Sequence, residues 1–187
     1  GAMELLGQET SVDDLVRELI KERAFFEKSG GGVTLSGGEH SLQPAFSLAL
    51  MRSLKEQRVS VALDTCGLCQ PEVLSTLAAE ADFILFDLKL LNSQDHERWT
   101  GVSNERILSN LELIKNMIKQ SAGSKKLWIR TPLIPKATDL KDNILSIGGF
   151  LAQQLNGTVD RWELCAFNNL CRDKYQRLDM QWFFSET

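Results

Sequence analysis

The chain has no basic run, no long apolar stretch and no nucleotide-loop fingerprint, and each absence removes a class of function. Lys and Arg number 21 against 25 for Asp and Glu, a net charge of −4, so binding nucleic acid through its phosphates is not expected. Nothing approaches the roughly 18 consecutive apolar residues of a membrane span. The first residues lack the charged-then-apolar pattern of a secretory signal. Four cysteines without secretory features predict reduced thiols and a cytoplasmic protein. There is no G-x-G-x-x-G and no glycine loop ending in Lys-Ser/Thr, which leaves a conventional nucleotide-binding domain as the weakest option. No linker, low-complexity tract or charge block divides the chain. Gly1-Ala2-Met3 reads as a tag scar, and residues 4–187 as a single α/β domain. A chain of 187 residues can bury one real core but is short for a complete large barrel.

What is present alternates. Ser11 is placed to cap a helix, with Asp14 three residues on and Val12, Leu15, Val16, Leu19 and Ile20 along one stripe. Strands are predicted over residues 33–35, 59–63, 83–86, 127–129 and 162–166. Helices are predicted over residues 42–55, 72–79, 104–119 and 140–155. The strands are nearly continuous in apolar residues, the pattern of a parallel sheet covered on both faces. Repeated β-α-β units with right-handed crossovers give either an open doubly wound sheet or a barrel.

Polar residues then recur at corresponding places. Ser36-Gly37-Gly38-Glu39 follows the first strand, Asp64-Thr65 the second, and Asp87-Leu88-Lys89 ends the third. Arg130-Thr131-Pro132 closes the fourth and Phe167-Asn168-Asn169 the fifth. In parallel α/β folds the carboxyl ends of the strands open onto one face, where catalysis is placed. Any one of these residues could be a helix cap or a solvated charge; together they indicate a ligand site. The segment GGGVTLSGGE (residues 30–39) sets a carboxylate behind a Gly-Gly turn. Bare backbone beside an acid offers carbonyl oxygens and a carboxylate together, which suits a protonated amine.

GGGVTLSGGE, LDTCG (residues 63–67) and FDLK (residues 86–89), followed by HERWTGVSNERIL (96–108) and LWIRTPLIP (127–135), resemble the activating enzymes of glycyl radical enzymes. Pyruvate formate-lyase activating enzyme is the best-known member. The resemblance runs from about Glu4 to Tyr175. It implies a radical S-adenosylmethionine fold, a partial parallel β/α (TIM-like) barrel. In that family a 4Fe-4S cluster reduces S-adenosylmethionine, and the resulting 5′-deoxyadenosyl radical takes hydrogen from a glycine of a partner enzyme. It implies cytoplasmic anaerobic metabolism, with a flavodoxin or ferredoxin as electron donor and a glycyl radical enzyme as partner, such as pyruvate formate-lyase or a related lyase or dehydratase. It also assigns residue roles. Gly37, Gly38 and Glu39 would hold the methionine amine, and Lys89 its carboxylate. Asp64, beside the cofactor, would join Thr65 and Asp87 in a monovalent-cation site. Arg130 would face the partner's glycine loop or the cofactor, and Asn168 would stand where the family has a cofactor-near His. Salt bridges of Lys89 and Arg130 with Asp64 or Asp87 are the competing reading.

The departures are as specific as the matches. The family's cluster-binding Cys-x3-Cys-x2-Cys occurs nowhere in this chain, and an iron–sulfur cluster requires those thiolates. The chain thus reads as the C-terminal part of a radical S-adenosylmethionine core, missing its first strand and inactive in radical chemistry as it stands. Ala166-Phe167-Asn168 replaces the family's Pro-Tyr-His, and Cys171 stands where Gly is usual. Cys66 and Cys69 have metal-ligand spacing, which Cys165 and Cys171 could complete to four thiolates. Against that, Cys165 sits in a strand, where a thiol is an ordinary small hydrophobe. His40 and His96 read as surface histidines. Trp99, Trp128 and Trp162 read as packing residues. Trp182-Phe183-Phe184 either packs over the barrel face or is exposed. The expected function is an activase for the parent protein; the alternative is a non-catalytic module of the same fold that binds a partner or a nucleoside.

Overall fold

The computed structural model describes residues 7–168, 170 and 172–182. Five strands form one sheet: β1 (Gly32–Leu35), β2 (Ser60–Thr65), β3 (Phe83–Asp87), β4 (Lys126–Leu133) and β5 (Arg161–Ala166). The strand order is β1-β2-β3-β4-β5 and every neighbouring pair is parallel. This order settles the choice between the two architectures. A doubly wound sheet reverses direction at a switch point, whereas strictly sequential order steps one way and keeps the crossover helices on one face. The sheet is therefore wound as a barrel wall.

The helices are α1 (Val12–Leu19), α2 (Arg23–Ser29), α3 (Pro44–Glu56), α4 (Pro71–Glu80), α5 (Ser93–Thr100), α6 (Glu105–Gln120), α7 (Lys141–Gln154) and α8 (Arg172–Arg177). Ser11 caps α1 as expected, its hydroxyl accepting from the Asp14 amide at 3.1 Å. Pro44 and Pro71 open α3 and α4, where a missing N–H costs nothing. Helices α1, α3, α4 and α6 pack side by side in chain order. Among the described residues, no helix is long and apolar enough to cross a membrane.

One face of the sheet carries the core. Val61, Leu63, Ile84, Phe86, Leu127 and Ile129 are fully buried beneath the helices with Met51, Leu54, Leu74, Leu111 and Ile114. Each such side chain contributes about 1.5–3 kcal/mol. Alternate residues Ala62, Asp64, Leu85, Asp87, Trp128 and Arg130 point to the other face and are only half-buried. The expectation of a sheet covered on both faces is thus corrected. The strands are apolar enough for two covers, but a barrel wall places only one layer of helices on its outside.

Two acids tie the lower rim. Asp82 accepts from the Val61 amide at 2.9 Å, and Asp160 from the Leu127 amide at 2.9 Å. Each sits just before a strand and holds the neighbouring one in register. These carboxylates are structural, in contrast to those at the opposite ends of the strands.

Candidate active site

At the carboxyl ends of the strands the chain turns sharply after Leu35. Gly37 has φ 107°, a region that side chains rarely tolerate. No atom lies within 4 Å of where a Cβ would stand on Gly37 or Gly38, so this backbone faces open space. Behind it Glu39 is held at both oxygens. Its Oε1 accepts from the Thr65 hydroxyl at 2.9 Å. Its Oε2 accepts from the Cys66 amide at 3.1 Å and from the Cys66 thiol at 3.1 Å. Burial pushes the Glu39 carboxyl up, but the Cys66 thiol and amide and the Thr65 hydroxyl outweigh it and hold the acid below its usual range. Burial and the same carboxylate push the Cys66 thiol up, so it stays protonated and donates.

A second network crosses the open face. Asp64 accepts from the Ser36 hydroxyl at 2.7 Å and from Arg130 Nη1 at 2.9 Å. Arg130 is paired in register with Asp87, yet its guanidinium reaches over β3 to Asp64. Burial works against the Arg130 charge; Cys165, Asp64 and Asp87 outweigh it. Lys89 lies 3.3 Å from Asp87, and burial pushes the Asp87 carboxyl up despite that cation. The salt-bridge reading of Lys89 and Arg130 is therefore realised in this structure. Both cations remain at the mouth, partly exposed, where exchange with a ligand carboxylate is cheap.

The structure joins Glu39 to Thr65 and Cys66, Asp64 to Ser36 and Arg130, and Asp87 to Lys89. It does not bring in Asn168, whose side chain is exposed and accepts from the Leu170 amide at 3.1 Å in its own loop. Thr65 alternates to the face opposite Asp64 and Asp87, and its hydroxyl is engaged by Glu39. Among the described residues, no group of three or more His, Cys, Asp or Glu is placed to hold a metal ion. Cys66, Cys69 and Cys165 are free thiols; Cys171 lies outside the described residues, as do Asn169, Phe183, Phe184 and residues 1–6.

Both histidine expectations are corrected. The His40 ring is buried against Glu39, 3.6 Å from Oε1, and burial holds it below the usual histidine range despite Glu39 and Asp64. His96 is buried, with Nδ1 2.8 Å from the Val102 carbonyl and 2.9 Å from the Thr100 hydroxyl. A polar helix sequence concealed it, because the Val102 carbonyl that meets the ring comes from the turn after the helix. Trp128 and Trp162 pack as expected: Trp128 against Phe83 edge-to-face, and Trp162 donating to the Thr131 hydroxyl at 3.0 Å. Trp99 is corrected to a half-exposed residue beneath Arg98. Trp182 stacks on Phe167 and meets Tyr175 edge-on.

A cavity of about 480 Å³ opens beside the mouth. Ser36, Gly38, Glu39 and His40 form its polar end, while Leu15 and Phe46 lie in its apolar body between α1 and α3. Asp64, Asp87, Lys89 and Arg130 do not line it, so it adjoins the charged mouth without being that mouth. The donor set at the mouth fits the amino-acid end of S-adenosylmethionine: a fixed carboxylate with open backbone for an ammonium, and a lysine for a carboxylate. The described thiols do not fit a three-thiolate cluster site.

A family model described as the radical SAM superfamily matches residues 3–145. The trans-4-hydroxy-L-proline dehydratase activating enzyme of Clostridioides difficile is 35% identical over 178 residues, covering 95% of this chain and 57% of that protein. The pyruvate formate-lyase-activating enzyme of Clostridium pasteurianum is 30% identical, covering 94% of this chain and 70% of that protein. The crystal structure of a domain of pyruvate-formate lyase-activating enzyme from Bacteroides vulgatus ATCC 8482 superposes with TM-score 0.64 at 29% identity, covering 74% of this chain and 82% of that one. The chain spans about half the length of the first curated relatives it matches.

Proposed function

Because this chain belongs to the radical SAM superfamily, we propose that it is the cofactor-binding part of a glycyl-radical-enzyme activase. The observation that carries the reading is Glu39, fixed at both oxygens beside the bare Gly37-Gly38 backbone. A carboxylate immobilised before the ligand arrives loses little freedom on binding an ammonium. Glu39 would take the methionine amine of S-adenosylmethionine and Lys89 its carboxylate, with Asp87 releasing the lysine. S-adenosylmethionine held there, given one electron by a cluster bound outside these residues, would lose methionine and supply a 5′-deoxyadenosyl radical able to take hydrogen from a glycine of the partner. Arg130, held over β3 by Asp64, would orient that glycine loop or the cofactor. A monovalent cation at Asp64 and Asp87 belongs to the same proposal, and would share both carboxylates with Arg130 and Lys89, while the Thr65 hydroxyl stays with Glu39.

The proposal places the cluster ligands outside these 187 residues. The partner is a glycyl radical enzyme of the lyase or dehydratase kind, the electron donor a flavodoxin or ferredoxin, and the setting a reducing cytoplasm that suits the free thiols among the described residues. One observation favours the second reading, a binding module without chemistry: no described thiol group suits a cluster.

Titration calorimetry with S-adenosylmethionine tests the first claim. The chain should bind, and Glu39→Gln should weaken binding by about 10–100-fold, the value of a hydrogen bond to a charged group. Equal binding by both would remove the amine site. Adding a cluster-bearing N-terminal part should then yield a glycyl radical on the partner by electron paramagnetic resonance; partner binding with no radical would favour the module.

A further inference from the structure

We propose that Asn110, on α6 and remote in sequence from the mouth, is the positioning residue that sets the Glu39 carboxylate. This rests on the reading above that Glu39 binds the ligand amine. Asn110 is fully buried, and its Nδ2 donates twice, to the Gly67 carbonyl at 2.8 Å and to the Cys69 carbonyl at 2.9 Å. Both partners are acceptors, so the amide orientation is fixed by them. These bonds clamp the turn that leaves β2. Inside the turn Gly67 has φ 72°, and a Cβ there would stand 2.2 Å from the Phe86 ring.

The clamped turn does two things for Glu39. It lays the Gly67 amide on the Thr65 hydroxyl at 3.0 Å, so the hydroxyl accepts there and directs its own proton to Glu39 Oε1. It also aims the Cys66 amide and thiol at Oε2. The chain of contacts thus runs from α6 through the turn to both carboxylate oxygens. Asn110 has a cost of its own: its buried Oδ1 has no partner among the described residues. A side chain that leaves a buried acceptor unpaired is a poor choice for packing alone. Its two donors are what the position uses.

The test compares the chain with Asn110→Leu, close in volume but without donors. The Cys66 amide proton should move upfield in the nuclear magnetic resonance spectrum and exchange at least about tenfold faster once a buried hydrogen bond is loosened. The Val61 amide, held by Asp82 at the other end of β2, should not change. Affinity for S-adenosylmethionine should fall about tenfold. Affinity for an analogue lacking only the amino group should not fall, a selectivity that general loosening of the fold would not produce. If Asn110→Leu does not fold, Asn110→Ala, which is smaller and likewise has no donors, should give the same pattern. Thr65→Val cuts the relay at its far end and should give it too. An unchanged Cys66 amide, or equal loss for both ligands, would overturn the proposal while leaving the amine site standing. No binding by the unsubstituted chain would sink the functional reading, and the positioning role with it.

Discussion

Asp87 and Glu39 are two acids at one mouth with opposite shifts. Glu39 is buried but receives three hydrogen bonds, so its folded value lies below the ordinary 4.5. It therefore contributes stability above that value, and the contribution is lost as pH falls through the depressed one. Asp87 is half-buried and near Asp64, with Lys89 and Arg130 as only partial compensation, so its folded value lies above the ordinary 3.8. Its ionised form penalises the fold at neutral pH, and the penalty fades as pH falls through the raised value. Asp87→Asn should accordingly raise the thermal midpoint at pH 7, with the gap closing in acid; a lowered midpoint would show that Lys89 needs the charge more than burial opposes it. Because Asp87 must release Lys89 before a ligand carboxylate can take it, the same variant should tighten ligand binding by calorimetry.

At the scale of elements, the turn after β2 is a piece of backbone that tolerates little replacement. Gly67 combines a positive φ with a ring where a Cβ would stand, so Gly67→Ala should cost about 2–4 kcal/mol. Gly101 closes α5 at φ 81° with open space around it, and Gly101→Ala should cost only about 1 kcal/mol. Urea denaturation of both variants checks the contrast. Equal costs would mean that Phe86 yields and that the turn is softer than its packing suggests. Gly32 of β1 is constrained in another way, since a Cβ there would stand 2.0 Å from the Ser60 carbonyl oxygen.

For the whole molecule, protection should follow the strand order. The central strand β3 is paired on both sides, while β1 and β5 each pair on one. Amide hydrogen exchange should be slowest in β3, with β2 and β4 next, and fastest in β1 and β5. Equal protection at the edges would show that they are covered in solution. Much of this plan was legible in the residues. The five strands and the four principal helices were found to within a few positions, because apolar periodicity and Pro or Ser starts are local signals. Glycine turns and acids at strand ends are local too, and they mark the face where the candidate site is proposed. The sequence by itself determined the βα repeat and the charged residues that follow its strands, with no Cys-x3-Cys-x2-Cys spacing within these 187 residues. Only the tertiary structure decided the rest. The sheet winds one way, the His40 and His96 rings are buried, Lys89 and Arg130 are already paired, and Asn110 of α6 holds the turn that presents Cys66 and Thr65 to Glu39. Each of these depends on which distant segment comes to lie alongside, and spacing along a chain carries no record of that neighbour.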